Sequence, residues 1–228
     1  MAVNEEKYKE IIRELKSQNV QLVAVSKMQT AADIKKLYDL GQRDFGENYV
    51  QELIEKQAVL PTDIRWHFIG HLQSNKVKYI APFVHLIQGV DSFKLLLEIN
   101  KQGKKINKII QCLLQVHIAQ EETKFGLDED ELHEAINTLQ KDPEQLSNVY
   151  INGLMGMASF SDDLNKVRME MRLLKKWFDK YQSQSTFNCQ LSILSMGMSG
   201  DYKIAIEEKS NMVRIGSLLF GARTKKNQ

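Results

Sequence analysis

Short apolar runs that alternate with stretches of helical periodicity constrain the fold of this 228-residue chain more than any other feature. The runs are rich in β-branched residues, and continuous apolar runs are typical of parallel strands that are covered on both faces. Eight of them predict strands, at residues 22–26, 44–46, 65–69, 86–90, 112–118, 150–155, 191–196 and 212–215.

The segments between these runs carry the signals of amphipathic helices. Thr30 and Asp33 have the spacing of a capping box, and Asp91 is predicted to cap a later helix that closes at Gly103. Four further helices are indicated by apolar residues at helical spacing: Tyr8, Ile11, Ile12 and Leu15; Tyr49, Val50, Leu53 and Ile54; Leu132, Ala135, Ile136 and Leu139; Leu164, Val167, Met171, Leu174 and Phe178. In the last of these, polar residues such as Glu170 are expected to cover the faces away from the core.

This alternation predicts an α/β fold in which parallel strands are joined by right-handed crossovers. Eight units match a (β/α)8 TIM barrel at the small end of its usual size, preceded by an extra N-terminal helix. No linker or low-complexity segment interrupts the pattern, so residues 1–228 are predicted to form a single domain, with a disordered tail over residues 223–228. A doubly wound open sheet is the alternative, because strands are difficult to count from a pattern.

Composition argues against several classes of partner. The 31 basic and 29 acidic residues nearly cancel, which argues against binding to nucleic acid or to an anionic membrane. The chain has no long apolar segment and no signal-peptide layout, and Cys112 and Cys189 suit buried, reduced thiols, so a cytoplasmic protein is expected. His67 and His71 flank the end of the third predicted strand and should not share a face, so no metal site is predicted.

Lys27 directly follows the first predicted strand, at the position where α/β barrels place their chemistry. An amine held there can lose its proton and attack an aldehyde, which gives a Schiff base. The alternative is a surface lysine that marks the end of the strand.

The loops after the seventh and eighth predicted strands have the composition of a phosphate site. Barrels commonly bind phosphate with these two loops and a helix N-terminus. Ser199 offers a hydroxyl donor, while Gly200 and Gly216 allow the backbone to approach a ligand closely. Taken alone, Ser199 could belong to an ordinary helix cap, and Arg214 could be a surface salt-bridge partner. Together with Lys27, the two loops predict a phosphate-bearing aldehyde as the ligand.

Six blocks of distinctive sequence occur in order along nearly the whole chain. They are Val25-Ser26-Lys27, Phe45-Gly46-Glu47-Asn48-Tyr49-Val50-Gln51-Glu52, Trp66-His67-Phe68-Ile69-Gly70, Leu72-Gln73-Ser74-Asn75-Lys76, Leu194-Ser195-Met196-Gly197-Met198-Ser199 and Met212-Val213-Arg214-Ile215-Gly216. With these blocks the chain resembles the pyridoxal phosphate homeostasis protein family.

The resemblance implies a fold type III barrel, like the N-terminal domain of alanine racemases. It implies roles for six residues: Lys27 would form the internal aldimine with pyridoxal 5′-phosphate, Ser199, Gly216 and Ser217 would hold the phosphate, Arg214 would face the pyridine nitrogen, and Asn48 would lie near the ring. The stretch 116–126 departs from the family pattern, because His117 stands where asparagine is usual. We interpret His117 as a polar residue that ends a strand.

The resemblance also favours a protein that carries the cofactor over an enzyme that uses it. A guanidinium stays protonated, so Arg214 would keep the pyridine nitrogen unprotonated and the ring a poor electron sink, which disfavours decarboxylation and transamination. Racemisation by this fold type needs a second base, which in alanine racemases is a tyrosine supplied by an additional β domain and the partner subunit. The sequence stops soon after the eighth predicted strand, so no such base is expected. Tyr49 and Tyr202 are expected to be buried in packing.

The resemblance therefore implies a pyridoxal phosphate-binding protein without robust turnover, and a monomer is expected. It would act in intracellular cofactor homeostasis and pass pyridoxal phosphate to apo-enzymes that depend on it. One alternative is a low-activity, pyridoxal phosphate-dependent amino-acid racemase. Another is a Schiff-base aldolase acting on sugar phosphates, which would carry no visible chromophore.

Overall fold

Eight parallel strands form the centre of the computed structural model, which describes residues 3–119 and 125–221. The strands are β1 Gln21–Val25, β2 Asp44–Glu47, β3 Arg65–Phe68, β4 Leu86–Val90, β5 Ile110–Val116, β6 Val149–Gly156, β7 Cys189–Ser195 and β8 Met212–Ile215. Each strand pairs with its neighbours in sequence, and β8 pairs back onto β1 to close the barrel. The predicted TIM barrel is confirmed, and the open-sheet alternative is wrong.

Helices surround the strands. They are α1 Glu5–Ser17, α2 Ala31–Asp39, α3 Val50–Val59, α4 Val77–Ile80, α5 Phe93–Lys105, α6 Glu129–Lys141, α7 Leu164–Gln182, α8 Tyr202–Glu207 and α9 Ser217–Phe220, with 3₁₀ turns at Ser74–Lys76 and Pro143–Leu146. The extra N-terminal helix is confirmed as α1, which buries Tyr8, Ile11 and Leu15. Thr30 caps α2 as predicted, since its side chain accepts a hydrogen bond from the Asp33 N–H.

Two apolar layers hold the barrel together. Successive residues of a strand point to opposite faces, so Leu22 and Ala24 of β1 join the layer between strands and helices, while Val23 points into the barrel. Inside, a small cluster fills the lumen with Val23, Leu86, Leu113, Met155 and Met212. The lumen is therefore a packed core, and polar side chains of the same strands occupy its remaining positions.

Three local predictions about helices are wrong. Ser92, rather than Asp91, caps α5 by accepting a hydrogen bond from the backbone N–H of Leu95 at 3.3 Å. Gly103 lies inside α5, where an added Cβ would come within 2.7 Å of two carbonyl oxygens from neighbouring segments. Glu170 is buried, because its carboxylate accepts hydrogen bonds from the N–H and the hydroxyl of Ser159.

The two cysteines are buried and unpaired, as predicted. Burial raises the pKa of both thiols, that of Cys189 to about 11. Across the ranges that the structure describes, no helix is both long enough and apolar enough to cross a bilayer. The predicted tail over residues 223–228 lies outside the described residues.

Candidate functional site

Lys27 lies just beyond the carboxyl end of β1, half-buried at the edge of the barrel. Because β1 pairs with both β2 and β8, the loops that follow those two strands flank Lys27 on either side. Met28, the next residue, has a backbone φ of +63°, in the left-handed region that is uncommon outside glycine. Lys27 is thus presented from a sharp turn rather than from a continuing strand.

A buried cluster of charged side chains surrounds this turn. The Lys56 ammonium donates to the carbonyl oxygen of Ser26 and to carboxylate oxygens of Glu47 and Glu52, each at 2.7 Å. Glu52 in turn accepts a hydrogen bond from the backbone N–H of Met28. This cluster was not predicted from the sequence, although Glu52 and Lys56 have the i,i+4 spacing of an ion pair on α3.

Asn48 follows β2 and is held in place by its neighbour across the strand ends. An added Cβ at Gly70 would lie 2.4 Å from the Asn48 carbonyl oxygen, so only glycine allows this close approach. The side-chain oxygen Oδ1 of Asn48 is buried and has no hydrogen-bond partner among the residues that the structure describes. Asn48 also lines a cleft of about 500 Å³, together with Tyr49, His71, Gln73 and Lys76.

The two loops predicted to bind phosphate meet each other. The backbone N–H of Gly216 donates to the Ser199 hydroxyl at 3.2 Å. A Cβ at Gly216 would lie 3.2 Å from the Val25 carbonyl oxygen, so this loop packs directly against the end of β1. Ser217 is exposed and begins α9. Ser199, Gly216 and Ser217 are therefore brought together, beside the strand that leads to Lys27.

Arg214 points into the barrel from β8 and is 4% exposed, so the alternative of a surface salt bridge is wrong. Its guanidinium donates to the carbonyl oxygen and the hydroxyl of Ser195 at 2.9 and 2.7 Å, and to the Gly156 carbonyl oxygen at 3.0 Å. Burial lowers the pKa of Arg214 to about 10, which leaves the group protonated at neutral pH.

Arg214 is one end of a hydrogen-bonded chain that crosses the lumen. The Ser195 hydroxyl donates to the side-chain oxygen of Gln88 at 2.7 Å, and the Gln88 amide lies 3.0 Å from Nδ1 of His67. Nε2 of His67 lies 3.0 Å from the Asp44 carboxylate. These contacts are satisfied together when Gln88 donates to Nδ1 and the His67 proton is on Nε2. The chain then runs with one polarity from the Arg214 cation to the Asp44 anion.

His67 and His71 lie in different surroundings, as expected for residues that do not share a face. His67 is in the lumen chain, whereas His71 is hydrogen-bonded to the Asp91 carboxylate at 2.6 Å and stacks on Phe125. Among the described residues, Asp44, His67 and His85 form one group whose possible ligand atoms lie within 4.8 Å of one another. The Asp44 carboxylate is already bound by Arg65 through two nitrogens, and the absence of a metal site stays a prediction.

The tyrosines considered as catalytic bases differ in their surroundings. Tyr202 is buried as expected, and its hydroxyl donates to the Glu14 carboxylate at 3.0 Å. Burial, together with that carboxylate, raises the pKa of Tyr202 to about 12. The expectation for Tyr49 is wrong, since it is 58% exposed at the N-cap of α3. His117 is half-buried just after β5, and part of the divergent stretch 116–126 lies outside the described residues.

Comparison with known proteins places this chain in a defined class. The family model for the N-terminal domain of alanine racemase matches residues 4–224, so the chain has the barrel domain of that class. The pyridoxal phosphate homeostasis protein of Aquifex aeolicus is 40% identical over 204 residues, which span 89% of this chain and 86% of the relative. The chain belongs to the pyridoxal phosphate homeostasis protein family.

Solved structures agree with this assignment. PipY of Synechococcus elongatus is 35% identical and aligns over 93% of this chain and 99% of its own, with a TM-score of 0.84 without PLP. The PipY structure with PLP bound aligns with a TM-score of 0.82. The alanine racemase of Bartonella henselae, at 18% identity and a TM-score of 0.70, covers 97% of this chain with 60% of its own and shows the shared fold.

Proposed function

We propose that this protein binds pyridoxal 5′-phosphate covalently at Lys27 and serves in intracellular homeostasis of the cofactor. In this proposal it passes the cofactor to apo-enzymes in the cytoplasm, acts as a monomer and has no robust turnover of its own. The observation that carries the proposal is the placement of Lys27 at a strand end beside the contact between Ser199 and Gly216. Family membership and the PLP-bound structure of PipY support it.

The residues present fit the cofactor. Ser199, Gly216 and Ser217 would hold the phosphate with hydroxyl groups and backbone, at a position where a Cβ on Gly216 would be in tight contact with Val25. Asn48 would lie near the ring, and its buried Oδ1 is an acceptor that a ligand can satisfy. When bound, pyridoxal phosphate supplies an aldehyde that amines capture reversibly.

Arg214 supports a binding role over a catalytic one. The guanidinium would face the pyridine nitrogen and keeps its own proton at neutral pH, even though burial lowers its pKa to about 10. It can therefore donate a hydrogen bond but does not transfer a proton to a ring nitrogen. Such a site stabilises carbanions poorly, and carbanions are what most reactions of this cofactor require.

Tyr202 is poorly suited to act as the second base of a racemase. Tyr202 donates its proton to Glu14 on α1, and its raised pKa of about 12 keeps the hydroxyl protonated. This supports carriage over racemisation by this residue.

The first test is the visible spectrum of the protein after incubation with pyridoxal phosphate, beside a Lys27→Ala variant. The wild-type protein is expected to show an absorbance band that the variant lacks. Borohydride should then fix the cofactor to the peptide that contains Lys27. A colourless wild-type protein would contradict the proposal and favour the aldolase alternative.

A second test separates carriage from racemisation. Loaded protein is mixed with an apo-enzyme that depends on pyridoxal phosphate, and recovery of that enzyme's activity is followed. In parallel, deuterium exchange at Cα of D- and L-amino acids is measured. Reactivation without exchange supports carriage, whereas exchange without reactivation would support the racemase.

A further inference from the structure

The two peptide groups on either side of Lys27 are tied to a single ion pair on α3. On one side, the carbonyl oxygen of Ser26 accepts a hydrogen bond from Lys56 Nζ at 2.7 Å. On the other side, the N–H of Met28 donates to Oε1 of Glu52 at 2.5 Å, and that same oxygen receives Lys56 Nζ at 2.7 Å. The backbone that carries Lys27 is thus held both before and after the residue.

Met28 needs such a tether. A non-glycine residue in the left-handed region is strained and persists only where its surroundings enforce it. The φ of Met28 is +63°, yet the residue is 61% exposed, so packing around it does little to hold that conformation. The turn is closed by the hydrogen bond from the Gln29 N–H to the Ser26 carbonyl oxygen at 3.0 Å, and the hydrogen bond from the Met28 N–H to Glu52 ties this turn to α3.

The cluster is costly to maintain if its only task is to attach α3 to the barrel. The Lys56 side chain is 7% exposed, and that of Glu47 is fully buried. Burial raises the pKa of Glu47, although Lys56 and the Ser26 hydroxyl oppose the shift. Its second oxygen, Oε2, is buried and meets no hydrogen-bond partner within the described ranges. Apolar packing of similar volume is often as stable as a buried ion pair, so stability alone does not account for the cluster.

We propose that Lys56, together with Glu52 and Glu47, is a positioning device that holds Lys27 in the geometry needed to capture the cofactor aldehyde. The proposal rests on the function proposed above and deepens it by naming residues that act through Lys27. Lys56 bonds to the turn itself, so the proposal assigns it no direct contact with the cofactor.

A double-mutant cycle tests this proposal, with Lys56→Met, Lys27→Ala and the double variant compared with wild type. Methionine keeps most of the apolar stem of lysine and removes its ammonium. Two quantities are measured for each protein: the dissociation constant for pyridoxal phosphate by equilibrium dialysis, and the rise of the absorbance band after mixing. Lys175→Met is the matched control, because it also removes an i,i+4 ion pair, with Asp179 on α7, at a site away from Lys27.

With Lys27 present, Lys56→Met is expected to weaken binding by about tenfold or more and to slow the absorbance change. In the Lys27→Ala background, the same substitution should change the affinity by less than about twofold, because no amine is left to position. Equal losses in both backgrounds, or no loss in either, would overturn the proposal. A wild-type protein that binds no pyridoxal phosphate would instead reject the proposed function.

A second pair of variants keeps the test decisive if Lys56→Met does not fold. Glu52→Gln retains a side-chain oxygen that can accept from the Met28 N–H, whereas Glu52→Leu removes it. Glu52→Leu is expected to slow cofactor attachment by about tenfold, and Glu52→Gln by much less. Identical rates for the two variants would contradict the role given to the Met28 tether.

Discussion

At Gly216, the addition of one carbon atom is enough to disturb the site. The loop that Gly216 begins packs against the end of β1 and also donates the hydrogen bond that positions the Ser199 hydroxyl. At Gly200, in the neighbouring loop, an added Cβ would meet nothing within 4 Å. The two glycines therefore differ in how strongly the structure requires them, although nothing in the sequence distinguishes them.

Gly216→Ala is expected to weaken binding of pyridoxal phosphate by about tenfold, because the loop must shift away from Val25 and take its N–H with it. Gly200→Ala, the comparison variant, should weaken binding much less, because the protein itself leaves room for the added Cβ. Titration with pyridoxal, which lacks the phosphate, is expected to show a much smaller difference between Gly216→Ala and wild type. Equal loss for both ligands would mean that Gly216 does not act through the phosphate.

The predictability of individual residues follows from how local their signals are. The position of Lys27 at a strand end was predictable, because a charged residue directly after an apolar strand is visible in a few consecutive positions. Lys56 was not, because its partners Ser26 and Glu47 come from earlier strand ends, and only barrel closure brings α3 against them. The burial of Glu170 was missed for a similar reason, since its partner Ser159 lies in the loop before the helix.

Among the elements, β2 and β3 are joined by an ion pair as well as by their backbone. The parallel register places Asp44 beside Arg65, and the Asp44 carboxylate also accepts from His67. Burial alone would raise the pKa of Asp44, but the hydrogen bonds and charges of Arg65 and His67 hold it well below its usual value. Stability from a lowered carboxyl pKa is present above the unfolded-state pKa and is lost as the pH falls below it.

Asp44→Asn is therefore expected to lower the free energy of unfolding by about 1.5–3 kcal/mol at pH 7, since it removes hydrogen bonds to a buried charge. The difference from wild type should shrink below about pH 4, where the unfolded chain takes up the proton. Urea unfolding of both proteins at pH 7 and pH 3 measures this difference in the free energy of unfolding. A difference of the same size at both pH values would show that the charge of Asp44 is not involved.

Strands were more predictable than helix caps. The apolar runs located all eight strands, and the limits differ mainly where a polar residue interrupts a run. For example, β5 begins at Ile110, but the polar residue Gln111 interrupts the apolar run, so the predicted strand began at Cys112. In the structure, the Gln111 side chain accepts a hydrogen bond from Asn152 on β6. At the start of α5, Asp91 and Ser92 are both good caps in sequence, and the structure uses Asp91 to hold His71 instead.

Across the whole molecule, the lumen chain connects the two ends of the barrel. Asp44 begins β2 at the amino end, and Arg214 reaches the carbonyl oxygen of Gly156 at the carboxyl end. Gln88 is the central link and is fully buried, with contacts to His67 on one side and Ser195 on the other. Sequence patterns could not predict this hydrogen-bonded chain, because its members come from five separate strands.

Replacement of Gln88 with leucine should leave the polar groups of His67 and Ser195 without their shared partner. We expect the free energy of unfolding to fall by about 2–4 kcal/mol, since each buried group that loses its hydrogen bond costs about 1–3 kcal/mol. Gln190→Leu is the control, because Gln190 is exposed on β7 and the hydrogen bond that its side-chain oxygen accepts from the Tyr150 hydroxyl lies at the surface. Similar unfolding curves for the two variants would argue against a structural role for the hydrogen-bonded chain in the lumen.

The closure of the barrel also brings distant parts of the chain side by side. The backbone N–H of Asn4, which caps α1, donates to the carbonyl oxygen of Leu219 in α9 at 2.8 Å. A short peptide could therefore join these two regions without disturbing the strands between them. New ends could then be opened in the exposed turn between α5 and β5, so that β5 comes first in the chain and β4 last. In a closed ring of repeating units, the order of the strands along the chain can change while the barrel keeps the same shape. This barrel is therefore a suitable scaffold for circular permutation.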